Sequence, residues 1–459
     1  MKFVILNGSP KGERSVTMQS MEYLKIKESY HTFETIHIIQ KLKKYEEHEE
    51  TLLKDCEKIK GADGIIWAFP VYHLLVPSHY KRFIELIFEN KMMEYFKGKY
   101  TSVFSTSIHY YDTTAHEYMR SICEDLEMNY LEGLSHHMND LLNPKRREEI
   151  LLFFQNMIYA NKEKLRLSKH YHSIEKNDFL YTPKKVIQKM DTDKKIIIVT
   201  DAKKEDRNIC RMIQQYMDTF KNKIEIFNLN EISMKGPCLG CCKCAKENIC
   251  VYHEKDGYRK FIDYVLEKAH VIIYAGTIKD RYLSSTFKRF YDRSFCYTHI
   301  PYLKGKQIGY MISGGLKEIP NLRQILEVYT QQGANLIGFV TDEEKDSSKI
   351  DEKIVSFAKL TKFYSERNYF RATNFLGVSG HKIFRDAVAG ELGAIFLGDY
   401  QYYKENKLFD FLTLKEKIKY SFRRFFFRKE KVRKEIDQKM IDLMMAPHKI
   451  VLEEERKME

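Results

Sequence analysis

The feature that most limits the fold is a strand-then-helix rhythm that runs through the first third of the chain and then starts again. Short apolar runs at 3–7, 36–39, 64–68 and 100–105 alternate with stretches of helical character. Runs so short and so apolar suit strands buried on both faces, and the intervening helices suit crossovers of a parallel sheet. The highly charged segment 41–58 reads as a solvated helix, and 146–169 as a closing helix. Five further strands are expected at 196–200, 224–229, 271–275, 307–313 and 335–340. A direct repeat ties the two halves together. Residues 65–84 align without gaps on 272–291, with seven identities in twenty positions, including Ser78 on Ser285 and Lys81-Arg82-Phe83 on Lys288-Arg289-Phe290. A duplicated unit follows.

Composition excludes other classes. The chain has 459 residues, 43% hydrophobic and 31% charged, which rules out a wholly disordered or collagen-like chain. No run of ~18 uncharged apolar residues occurs, so no membrane-spanning helix is expected. The first apolar run is too short for a secretory signal, and a cytoplasmic location follows. The expected organisation is a nucleotide-type domain over 1–169, a polar linker over 170–193, a second domain over 194–370 and a basic helical extension over 371–459.

The first strand ends in Gly8-Ser9-Pro10-Lys11-Gly12-Glu13-Arg14-Ser15-Val16-Thr17. A Gly-containing loop opening a helix aims backbone amides at an anion, and Ser and Thr hydroxyls add donors. The loop is neither a Walker A sequence nor GxGxxG. An ordinary strand-to-helix turn capped by a serine is the plain alternative. The loop resembles the phosphate loop of the NADPH-dependent FMN reductase family, which has a flavodoxin-like fold. The resemblance implies that Ser9, Lys11, Ser15, Val16 and Thr17 hold the FMN phosphate. It implies that the loop Pro70-Val71-Tyr72-His73 lies against the flavin ring and that Ser107 and His109 touch it from a third loop. Packing on the surface is the plain reading of Tyr72 and Tyr110, and simple exposure that of His73 and His109.

The second half loses these residues. Its first loop, 200–206, holds Asp201, Glu205 and Asp206, which would repel a phosphate. It gains a cysteine run, Cys238, Cys241, Cys242, Cys244 and Cys250, with C-x2-C-x2-C-x5-C spacing for Cys238, Cys241, Cys244 and Cys250. The run is similar to the compact motif of iron–sulfur flavoproteins, and the resemblance implies a [4Fe-4S] cluster on those four. Zinc, or thiols that hold nothing, remain the alternatives. The whole reads as α/β: two flavodoxin-like doubly wound parallel sheets in tandem plus a helical C-terminal extension. The implied function is a flavin-dependent oxidoreductase passing electrons between NAD(P)H, FMN and an iron–sulfur cluster to an acceptor. An electron-transfer flavoprotein serving protein partners is the alternative.

The net charge of +13 is concentrated near the C-terminus, where 415–434 hold ten Lys/Arg against two acids, and no nucleic-acid motif accompanies it. Ile418, Phe422, Phe425 and Phe426 fall on one helical stripe among Arg423, Arg424, Arg428 and Lys429. Packing of this stripe on the domains is favoured, with weak peripheral membrane contact as the alternative.

Overall fold

The computed structural model describes every residue except Lys176, Asn177, Gln332, Glu391, Asp410, Lys429 and Glu459, and the backbone alone at Lys417, Arg423, Phe426, Arg428, Glu430, Lys431 and Asp437. The chain divides into two units. The first comprises Met1–Ser173, Pro237–Cys242 and Phe422–Glu459, and the second Ile174–Gly236 and Lys243–Ser421.

The first unit is built on β1 (Lys2–Asn7), β2 (Thr32–His37), β3 (Gly64–Pro70), β4 (Tyr100–Ser107), β5 (Asn129–Tyr130) and β6 (Leu134–His137). All pairings are parallel, in the order β2-β1-β3-β4-β5, with β6 also on β4. Successive strand residues face opposite sides. Phe3, Ile5, Ile66 and Phe104 pack under the helices Val16–Lys27 and Pro144–Lys162, against Met21, Leu24, Phe154 and Met157. Trp67 faces the other way, toward Tyr80 on the helix Ser78–Glu89 and in a stack with Phe96.

Three expectations shift. The second strand is Thr32–His37, not 36–39: it is an edge strand of mixed polarity, and Ile38 already starts a helix. The charged segment forms two helices, Ile38–Glu47 and Glu49–Lys60, broken at an extended His48. It is not merely solvated, since Leu42, Tyr45, Leu52 and Ile59 are buried. The last strand position of the sheet is split between β5 and β6, pieces too short to read as strands in the sequence.

The second unit repeats the plan with β7 (Ile196–Thr200), β8 (Glu225–Asn228), β9 (Val271–Thr277), β10 (Gln307–Ser313) and β11 (Asn335–Thr341). The parallel order is β8-β7-β9-β10-β11, the same path as in the first unit. Its core joins Ile198, Met212, Ile273, Met311, Ile354 and Phe357. Tyr181, from the expected linker, is fully buried in this core and donates its hydroxyl to Asp351. Lys176 and Asn177 of that linker lie outside the described residues.

Beyond residue 370 the described chain is helical: Phe375–Ala389, Leu397–Glu405, Leu414–Arg428 and Glu430–Met458. The last of these completes the first unit. Leu452 enters its core, Lys27 pairs with Glu455 at 2.5 Å and Arg456 with Glu22 at 2.7 Å. The stripe on Leu414–Arg428 is not packed as expected. Ile418, Phe422 and Phe425 are exposed, because the helix buries its other side, where Arg424 sits.

Candidate functional site

In the first unit the sheet order reverses between β1 and β3. The chain leaves these neighbouring strands toward opposite faces, and the crevice between the two exits is where open α/β sheets take ligands.

The loop after β1 is fixed from below. Tyr80 donates to the Leu6 carbonyl at 2.8 Å, and its ring lies 2.8 Å from where a β-carbon on Gly8 would stand. Only glycine lets the backbone pass so close. The Ser9 amide donates to Asn7 Oδ1 at 2.9 Å, and Gln40 donates to the carbonyls of Ser9 and Pro10 at 3.2 and 3.3 Å. Ser15 caps the following helix, accepting from the Met18 amide at 3.2 Å. Val16 and Thr17 open that helix, so their amides have no acceptor within it, and the helix dipole adds positive character. Ser9, Ser15 and Thr17 are buried, while Lys11 and Val16 are half-buried. Glu13, the only acid of the loop, is drawn to His37 at 3.1 Å, and Arg14 is held by Asp442 of the last helix.

The loop after β3 carries backbone strain. Tyr72 and Leu75 exchange both amide hydrogen bonds, at 2.8 and 3.0 Å, around His73 and Leu74, whose φ angles are 41° and 69°. Consecutive left-handed residues suit Asn and Gly, and a bulky residue there costs about 1–3 kcal/mol. The turn is kept because its surroundings fix it. Val71 donates its amide to Thr106 at 3.0 Å, and Thr114 donates its hydroxyl to the Leu74 carbonyl at 2.5 Å.

The third loop follows β4. Thr106 meets Thr17, oxygen to oxygen, at 2.6 Å, which links the first and third loops. Ser107 accepts from the His109 amide at 2.8 Å, and His109 Nδ1 lies 2.8 Å from Asp112. Burial pushes the Asp112 carboxyl up, but hydrogen bonds from His109 and Ser135 outweigh it and hold the group below its ordinary value. Thus Ser9, Lys11, Ser15, Val16, Thr17, Pro70, Val71, Tyr72, His73, Ser107 and His109 lie on three loops at the carboxyl ends of adjacent strands. Sequence reading missed Tyr80, Gln40, Thr106, Asp112 and Asp442, which act on these loops from distant positions.

Residues 1–151 match the family described as the flavodoxin-like fold. The first unit is flavodoxin-like. No curated protein shows significant similarity to the chain. Among solved structures the chain is similar to FerB, a flavoenzyme NAD(P)H:(acceptor) oxidoreductase from Paracoccus denitrificans, at 16% identity over 35% of this chain and 97% of that one, with a TM-score of 0.31. It is similar to an FMN-dependent NADH-azoreductase from Bacillus anthracis in complex with FMN, at 15% identity over 36% and 100%, with a TM-score of 0.26. It is also similar to an NAD(P)H:quinone oxidoreductase from Methanothermobacter marburgensis, at 16% identity over 38% and 98%, with a TM-score of 0.28.

The flavodoxin-like first unit includes a segment from far along the chain, Pro237–Cys242. Gly240, at φ 60°, passes so close to the Tyr72 hydroxyl and Lys11 that a side chain there would collide with Tyr72. The segment therefore lies against residues of the first and second loops. Burial pushes the Cys242 thiol up, with Lys11 pulling it partly back. Cys238 accepts from the Gly240 amide, whereas Cys244 donates to the Phe295 carbonyl. Cys238 and Cys241 belong to the first unit, Cys244 and Cys250 to the second. Among the described residues no three His, Cys, Asp or Glu side chains are gathered to hold a metal.

In the second unit the same reversal falls between β7 and β9. Asp201 occupies the exit of β7 and receives the Ser284 hydroxyl; burial raises its carboxyl to about 6. Asp342, fully buried, accepts from Ser313, the Gly314 amide and Asn208. At the exit of β7 a carboxylate stands where the first unit offers amides and hydroxyls.

Proposed function

We propose that the chain is an NAD(P)H-dependent, FMN-containing oxidoreductase with its flavin on the first unit. The observation that carries the reading is the loop cluster at the β1/β3 reversal: a serine-capped helix start, bare of free acid, beside a strained, rigidly held turn bearing Tyr72. This is the place at which a sheet of this order takes FMN. Ser9, Lys11, Ser15 and the first-turn amides would hold the phosphate; Thr17, engaged with Thr106, would steady the loop behind them. Pro70–His73 would supply the rigid apolar flank for the ring. Bound FMN supplies hydride acceptance from NAD(P)H and release of electrons to an acceptor. Asp112 fixes the His109 ring through Nδ1, which leaves Nε2 for proton exchange at the rim. Pro237–Cys242 lies against Tyr72 and Lys11, and no electron step is assigned to it.

The purified full chain is expected to carry one FMN, and NADH or NADPH should bleach the flavin; iron and zinc analysis of anaerobically prepared protein decides among a [4Fe-4S] cluster, zinc and bare thiols at Cys238, Cys241, Cys244 and Cys250. Flavin that is never bleached by either would leave a carrier, not a reductase. A colourless protein that binds no added FMN would end the proposal. Iron at about four per chain would support the cluster reading of Cys238, Cys241, Cys244 and Cys250, and its absence would sink it.

A further inference from the structure

The helix Leu414–Arg428 turns an apolar stripe to water. Leu414, Ile418, Phe422 and Phe425 share one side of it, with exposures of 75, 63, 75 and 67%. The anchored side is the opposite one: Arg424 is 6% exposed, and Tyr420 and Phe427 are half-buried. A helix that needed these apolar groups for its own packing would face them inward. A contiguous exposed apolar surface rimmed by charge marks an interaction site.

The charge names the partner. Lys415 and Lys419 flank the stripe and are exposed, and 415–434 hold ten basic residues against two acids. Arg423, Phe426, Arg428 and Lys429 of this stretch lie wholly or by their side chains outside the described residues. With 15 residues and many charges the helix is too short and too polar to cross a bilayer, and among the described residues no helix is long and apolar enough to do so. Large apolar groups on one side and lysines beside them suit a helix lying in the headgroup boundary. We propose that Leu414–Arg428 is an interfacial anchor that docks the protein on an anionic lipid surface. Leu414, Ile418, Phe422 and Phe425 enter the acyl boundary, and the flanking lysines meet phosphate and carboxylate headgroups. This proposal stands on the tail alone and does not depend on the flavin reading.

Flotation of the full chain with vesicles of phosphatidylcholine alone, or of phosphatidylcholine with phosphatidylserine, tests it. Binding is expected on the anionic vesicles at low salt and should fall steeply at high salt. Phe422→Glu with Phe425→Glu should weaken it by about tenfold or more, and Lys415→Glu with Lys419→Glu by about tenfold. These positions are exposed, so both variants should keep the parent's circular dichroism and melting point. A well-folded parent that stays with the zwitterionic and anionic vesicles equally, or floats with neither, overturns the proposal. So does anionic binding that both variants retain. A parent that sediments as a dimer, which the phenylalanine variant converts to monomer without change in flotation, would assign the stripe to a second copy of the chain instead.

Discussion

The two sheets share a backbone plan and differ in what they present at the same place. In the first unit Val71 donates to the Thr106 carbonyl, and in the second Ile278 donates to that of Ser313, both at 3.0 Å. Tyr72 donates to Leu75 at 2.8 Å, and Lys279 to Tyr282 at 3.0 Å. Lys81 pairs with Glu85, and Lys288 with Asp292, both lysines without exposure. The donors are corresponding positions of the aligned repeat, and the acceptors keep the same spacing between the two halves. The side chains at the crevice have not followed: Ser9, Lys11 and Ser15 stand in one, Asp201 and Asp206 near the other. Interactions that build the turn and seat the helix persist, whereas those that would meet an anion do not. A fold can thus be kept while the groups at its crevice change.

The strongest test of the shared plan is the buried ion pair. Lys81→Met and Lys288→Met should each destabilise the protein, by at most about 3–5 kcal/mol, since each removes the lysine beside a buried carboxylate; the effect should be smaller at Lys81, because Glu85 keeps Arg82 at 3.2 Å. Denaturant melts measure this; two small effects would mean that the pairs are incidental. The strongest test of the divergence is flavin affinity. Lys11→Glu with Ser15→Ala should weaken FMN binding by about a hundredfold, removing one charge and one hydroxyl from the cradle. Asp201→Asn in the second unit should leave FMN affinity unchanged. Equal losses from both would erase the proposed difference between the crevices.

A smaller effect follows from Asp201 itself. Its folded value, about 6, lies above the ordinary carboxyl value, so the folded chain binds this proton more tightly than the unfolded one. Stability contributed at this site therefore falls as pH rises from about 4 to 6, and the full cost is present above that. Asp201→Asn should raise stability by about 1–2 kcal/mol at neutral pH and by almost nothing near pH 4. A variant less stable than the parent at neutral pH would show that the charge is needed there.

How much of this could be read from the sequence depended on how local the cause was. Strands β1, β3, β7 and β9 are buried and predominantly apolar, so their runs stand out, while β4, β10 and β11 are buried but keep apolar residues among Ser, Thr, Gln and Asn. The edge strand β2 alternates polar and apolar residues and ends beside Ile38, which mimics a later strand. The first-loop residues were legible because glycine, serine and the helix start are adjacent in the chain. Gln40, Thr106 and Asp442 reach the loops only through tertiary structure, and no spacing announces them. The cysteine spacing reads as one compact ligand set, yet the backbone carries its first part into the first unit and its last part into the second. The tail stripe was read from periodicity, which gives a face but not the direction in which it points.

The last helix has a consequence for synthesis. Leu452 joins the core under β1, and Glu455 and Arg456 pair with the helix that follows β1, so β1 is covered by residues made long after it. A ribosome makes the last helix after both sheets. The N-terminal sheet must wait through the making of some four hundred residues with part of its apolar face uncovered, whereas the sheet begun later closes on contacts nearer in the chain. The order of synthesis of the two sheets and the order of their completion are reversed, and a nascent chain stalled before residue 422 would expose the strands of the first unit to chaperones.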